Sequence, residues 1–119
     1  MTKIKVVNKK SISGRLLAPP KGTVRAAINR STSLGNPFVM ADYSQAERDR
    51  VCDAYEQWLP PKLLQDGAEL AQFQQLLAIA RNPEVQTLEL ICHCAPKRCH
   101  GDTIKQLLET ELQNEITFD

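Results

Sequence analysis

Three of the four cysteines and both histidines fall within the run CHCAPKRCHGD, Cys92 to Asp102. On an extended chain Cys92 and Cys94 point to one side and His93 to the other. Cys99 and His100 stand just ahead of a stretch with helical periodicity. The unpaired N–H groups and positive end of a helix stabilise anions there. A thiol at that place, beside Lys97 and Arg98, has its pKa lowered. Cys99 is therefore the candidate nucleophile, with His100 or Asp102 as acid/base. The same residues allow three other readings. Cys92, Cys94, Cys99 and His100 (or His93) carry zinc-ligand atoms. However, Cys-x-Cys on a strand lacks the paired knuckles of a structural zinc site, so no cofactor is predicted and zinc stands as an alternative. Loop amides from Arg98 to Asp102, clamped by Arg98 or Lys97, would bind phosphate without cysteine chemistry. Finally, small cysteines fill space in a tight strand-to-helix turn, which is the preferred reading for Cys92.

A second polar stretch, RSTSLGNPF from Arg30 to Phe38, offers Ser31, Thr32, Ser33 and Asn36 to a ligand. Gly35 permits close backbone approach or positive φ, and Asn36 before Pro37 is pushed to extended backbone. No Gly-Lys-Ser/Thr phosphate loop is present.

These stretches must be held by regular elements. Ile4, Val6 and Val7 alternate with lysines, which predicts a first strand. Residues 8–23 read as irregular, and Val24 to Ile28 as a second strand. Ser44 and Glu47 form a capping-box pattern. Val51, Ala54, Tyr55, Trp58 and Leu59 then share one helical face until Pro60-Pro61 stops the helix. Asp66 to Glu69 repeats the cap signature before the stripe Leu70, Phe73, Leu77 and Ala80. Tyr55, Trp58 and Phe73 therefore read as core. Val85 to Cys92 reads as a buried, mostly apolar strand. Gly101 or Asp102 caps a last helix to about Gln113, with Ile104, Leu107, Leu108 and Leu112 inward. Ile116 to Phe118 reads as a final edge strand. Alternating strands and helices predict a single α/β domain over residues 1–119, with three to four mainly parallel strands and helices packed on them. The ligand crevice of such a sheet lies beyond the carboxyl ends of its strands, where Cys92 to Gly101 would sit.

The net charge of +1 hides an asymmetry. Residues 1–41 carry Lys3, Lys5, Lys9, Lys10, Arg15, Lys21, Arg25 and Arg30, while all 14 acidic side chains come later. A basic third suits a phosphate-bearing partner, nucleotide or nucleic acid, or equally a solvated basic face. No apolar run reaches membrane-span length and the first residues have no signal core, so a cytoplasmic protein without membrane contact is expected. Clustered cysteines in such a chain argue against a disulfide scaffold.

LGNPF (Leu34 to Phe38), YEQWL (Tyr55 to Leu59) and CHCAPKRCHGDTI (Cys92 to Ile104) together resemble the domain of unknown function 4326 family of bacteria and phages. Its members pair a GNPF loop with Cys-aromatic-Cys, a proline, and Cys-His-Gly-Asp opening the last helix. Cys92, Cys94, Pro96, Cys99, His100, Gly101 and Asp102 match that pattern. His93 replaces the usual aromatic, and Asn29-Arg30 replaces Gly-Arg. The resemblance runs from about Arg25 to Leu108. It implies a small Rossmann-like sheet, carries no established activity, and suggests that the two motifs form one pocket. The expected function is binding of a nucleotide-like or other phosphorylated ligand there. Arg30 and Arg98 would neutralise phosphate, Gly35, Asn36, Gly101 and Asp102 would shape the loops and bond polar groups, and Ser33 would contact the ligand. Cys-based catalysis is an option of the same site. The rival readings are a phage or bacterial protein contacting a host protein or nucleic acid through its basic third, in the host cytoplasm, and a structural zinc module.

Overall fold

The structure is a computed structural model that describes residues 2–12, 19–95 and 97–117; Arg15, Pro96 and Phe118 lie outside it. Among the described residues the elements run β1 (Lys3–Asn8), α1 (Lys9–Ile12), β2 (Thr23–Ala27), α2 (Gln45–Leu63), α3 (Ala68–Arg81), β3 (Thr87–Cys92) and α4 (His100–Thr117). The strands form one parallel sheet in the order β1-β3-β2.

The register explains both sheet faces. Ile4, Leu88 and Val24 stand in one row, and Val6, Leu90 and Ala26 in the next. These rows face the helices: Leu88, Leu90 and Cys92 are fully buried, against Phe73, Leu76, Leu77 and Ala80 of α3 and Ile104 and Leu108 of α4. Tyr55 and Leu59 of α2 complete this core, while Trp58 is half-buried and lies beside the Tyr55 ring. The other sheet face carries the row Lys5, Glu89 and Arg25, with Arg25 donating to Glu89 at 2.9 Å. β3 is therefore not apolar on both faces. It alternates, because one face holds the core and the other an ion pair.

The α2 start follows its cap: Ser44 Oγ accepts from Glu47 N at 3.2 Å. The Glu47 carboxylate does not return to Ser44. It accepts from Ala41 N at 2.8 Å and pairs with Arg50, and Ser44 N bonds Asp42 instead. Four boundaries differ from the sequence reading. α2 runs through Pro60 and Pro61 to Leu63, because both prolines lie in its last turn and Leu63 still packs on the core. α3 begins after Gly67, with no side-chain cap from Asp66. Residues 9–12 form one helical turn where irregular chain was expected. α4 includes Ile116 and Thr117, so no edge strand starts there; Arg81 pairs with Glu115 at 2.6 Å and ties this last turn to the end of α3. Among the described residues no helix is long and apolar enough to cross a membrane.

Candidate functional site

Two loops leave the carboxyl ends of β2 and β3, and both are fastened to α2. In the first, Asn29 O accepts from Thr32 N and Thr32 Oγ1, and Thr32 O accepts from Gly35 N. A Cβ at Gly35 would stand 2.6 Å from Arg30 Cα and closer still to the Asn29 carbonyl. Gly35 thus serves close backbone approach, not positive φ. The next residues are stapled down. Leu34 is fully buried; its carbonyl accepts from Tyr55 OH and its N–H donates to Gln72 at 2.7 Å. The Asn36 amide donates to Val51 O at 3.1 Å and its oxygen accepts from Phe38 N at 2.9 Å. Asn36 is a loop anchor whose polar atoms are already engaged.

The second loop is held by Arg98. Its guanidinium bonds Asp49 at 3.1 Å, Asp53 at 2.7 Å and Glu56 at 2.9 Å, all on the flank of α2. These carboxylates keep Arg98 charged and satisfied. Arg98 is therefore not the phosphate clamp expected from its place in the sequence: three acids on α2, invisible as its partners in the chain order, already neutralise it. From the other side Asn8 Nδ2 donates to Ala95 O at 2.8 Å.

Between the loops lies a cavity of about 470 Å³, a size that suits a small molecule. Arg30, Asn36, Arg98, Cys99 and His100 line it, so the structure gathers residues of both motifs in one concavity. Ser33, Gly35, Gly101 and Asp102 do not line it. Gly101 instead lets α4 meet the sheet; a Cβ there would stand 2.8 Å from Val6 Cγ1 and 2.9 Å from Ile28 Cδ1. Asp102 is exposed, and its carboxylate accepts from Cys99 N at 3.2 Å. This is the backward half of a capping box, with the helix opening at His100 rather than at Gly101 or Asp102.

Cys99, His100 and Asp102 do not form a nucleophile and base. Cys99 is only 3% exposed. Its thiol is pushed up by hydrogen bonding to the Cys92 sulfur and by burial, against the helix-end effect. In this pair Cys92 is the acceptor; its sulfur also accepts from Ala95 N at 3.3 Å, so the proton stays on Cys99. His100 Nε2 bonds the Ile28 carbonyl, which can only accept, so that nitrogen carries the hydrogen and Nδ1 is the free lone pair. Burial lowers the His100 pKa, which leaves the ring neutral at neutral pH. The half-buried Cys94 is the most accessible thiol in the wall. Among the described residues no three His, Cys, Asp or Glu side chains stand close enough to hold a metal. Cys92, Cys94, Cys99 and His100 are thus not gathered as a ligand set: the Cys99 thiol hydrogen-bonds the Cys92 sulfur and His100 bonds backbone.

Sequence reasoning missed the wall that α2 supplies. Arg48, Val51 and Cys52 line the cavity, with Phe38 and Met40 from the approach to the helix. Arg48 is only 8% exposed. Its Nη1 donates to Arg98 O at 3.4 Å, and among the described residues no carboxylate pairs with it. The signal was present: Arg48 lies three and four residues before Val51 and Cys52, on the stripe that continues to Tyr55 and Leu59.

Residues 15–110 match the family model described as Domain of unknown function (DUF4326). The chain belongs to this family. No curated protein and no solved structure matches it. Both loops, and the part of α2 that lines the cavity, fall within the matched span.

Proposed function

We propose that the protein binds a phosphorylated, nucleotide-like ligand in the cavity between the Arg30–Phe38 loop and the Cys94–Cys99 loop. One observation carries this reading: Arg30 and Arg48 both face the cavity, and among the described residues neither has an acidic partner. A buried guanidinium without a counter-ion is costly to fold, and an anion held against it recovers that cost. One part of the wall, Phe38, Met40, Val51 and Cys52, suits a flat apolar group beside the anion.

Arg48→Met tests it. The free variant should be as stable as the parent or more so, since an unpaired buried charge is lost. Inorganic phosphate and nucleoside 5′-monophosphates should raise the melting temperature of the parent and, at the same concentration, shift the variant much less. Affinity should fall by about tenfold or more, as for loss of a charge-assisted bond. Trp58, the single tryptophan, meets the Phe38 ring edge-on at 6.4 Å, so its fluorescence reports on the wall. Equal binding by parent and variant, or no binding by either, would overturn the reading.

A further inference from the structure

Alongside the first cavity lies a second, of about 560 Å³. Met40, Arg48, His93 and Cys94 belong to the walls of both, so the two form one trough with the Arg48 guanidinium at the divide. The halves differ in chemistry. The first sets an apolar patch of Phe38, Met40, Val51 and Cys52 beside Arg30, Asn29 and Ser31. The second brings together Lys10 from α1, Lys97 from the β3–α4 loop, Asn8 at the end of β1, and Tyr43, which is 94% exposed. Among the described residues neither wall carries an acidic side chain. Yet Asp49, Asp53 and Glu56 lie close by on α2, turned away to hold Arg98. Arg30 and Arg48 in the first half and Lys10 and Lys97 in the second thus place positive charge along the whole trough, beginning beside the apolar patch.

From this layout we infer that the ligand is a nucleoside carrying more than one phosphate group. Its ring occupies the apolar patch, its first phosphate sits against Arg48, and its further phosphates run along Lys10 and Lys97. The inference rests on the phosphorylated-ligand reading above and adds a direction and a length to it. An apolar pocket accepts a heterocycle, and cations in series accept linked phosphates without fixing their number. Two sources share this chemistry: a free nucleoside di- or triphosphate, and the end of a single-stranded nucleic acid.

The test is calorimetry with the mono-, di- and triphosphates of the four ribonucleosides and with 5′-phosphorylated tetranucleotides, at one ionic strength. For the parent, each phosphate after the first should tighten binding about two- to fivefold, as expected for a partly screened charge pair. In the Lys10→Ala/Lys97→Ala double variant the ratio of triphosphate to monophosphate affinity should fall toward one, with the circular dichroism of the parent retained. A tetranucleotide that outbinds every triphosphate assigns the trough to a nucleic-acid end; the reverse assigns it to the free nucleotide. A series in which the monophosphate binds and added phosphates change nothing would overturn this inference alone. Failure of every compound, monophosphates included, would overturn it together with the reading on which it rests.

Discussion

The four cysteines differ by what surrounds each sulfur. Cys92 is fully buried on β3 and accepts hydrogen bonds from Cys99 and Ala95. Cys99 has its thiol raised by that contact and by burial, and burial raises Cys52 as well. Cys94 is half-buried on the cavity wall. Reactivity requires both a thiolate and access, so the order of alkylation should separate them. Under native conditions iodoacetamide should modify Cys94 first, with Cys52, Cys92 and Cys99 labelled only after unfolding, as read by peptide mass spectrometry. Labelling of Cys99 at the rate of Cys94 would show that the α4 start is open to solvent. The cluster of thiols was legible in the chain, but their ranking was not. Position before a helix lowers a thiol pKa, whereas burial against a second sulfur raises it, and that burial depends on residues far along the chain, such as Ile28 and Tyr55.

The elements hold the site by a few close contacts. Gly35 brings the Arg30–Phe38 loop back onto itself, Arg98 locks the β3–α4 loop to α2, and Gly101 seats α4 on Val6 of β1 and on Ile28 just after β2. Gly35→Ala would push a methyl against backbone atoms of Asn29 and Arg30. Because no flexible side chain can yield there, the loop itself must move. A loss of about 1–3 kcal/mol in denaturant unfolding is expected, comparable to overpacking a core. Ligand affinity should drop with it, since Arg30 moves too. A variant as stable as the parent would show that the loop has room. The α2 stripe was readable as far as Leu59, since 3.6-residue periodicity is local. Its passage through Pro60-Pro61 was not, because packing of Leu63 outweighs local proline preference.

For the whole molecule, His100 joins three parts: it opens α4, bonds the Ile28 carbonyl after β2, and meets the Tyr55 ring of α2 at 5.3 Å. Burial holds its pKa below the ordinary 6.5; Arg30 pushes the same way, and Asp102 and the Ile28 carbonyl push back. The sign follows from proton counts. Well above pH 6.5 neither folded nor unfolded chain protonates this ring, so it adds no pH dependence there. Below that, the unfolded chain binds a proton that the folded ring resists, and stability falls as pH falls. The slope from this one group is at most about 1.4 kcal/mol per pH unit. Glu47, held down to about 2 by Arg50 and the Ala41 amide, stays ionised throughout the window. Urea midpoints at pH 7.5 and 5.5 should therefore drop more for the parent than for His100→Gln. Equal drops would mean that the ring takes up its proton freely in the folded state.

Composition, periodicity and turn residues are local properties, and they determined the α/β class, all three strands of the described sheet, the long helices and the two motif loops. Spacing alone also pointed to the carboxyl ends of the strands. The tertiary structure decided which charges are free. Arg98 looked available and is held by three acids one helix away, whereas Arg48, which no sequence motif singled out, is buried against the cavity. Charge pairing and desolvation act through space between residues about 50 positions apart, and no local pattern in the chain encodes them.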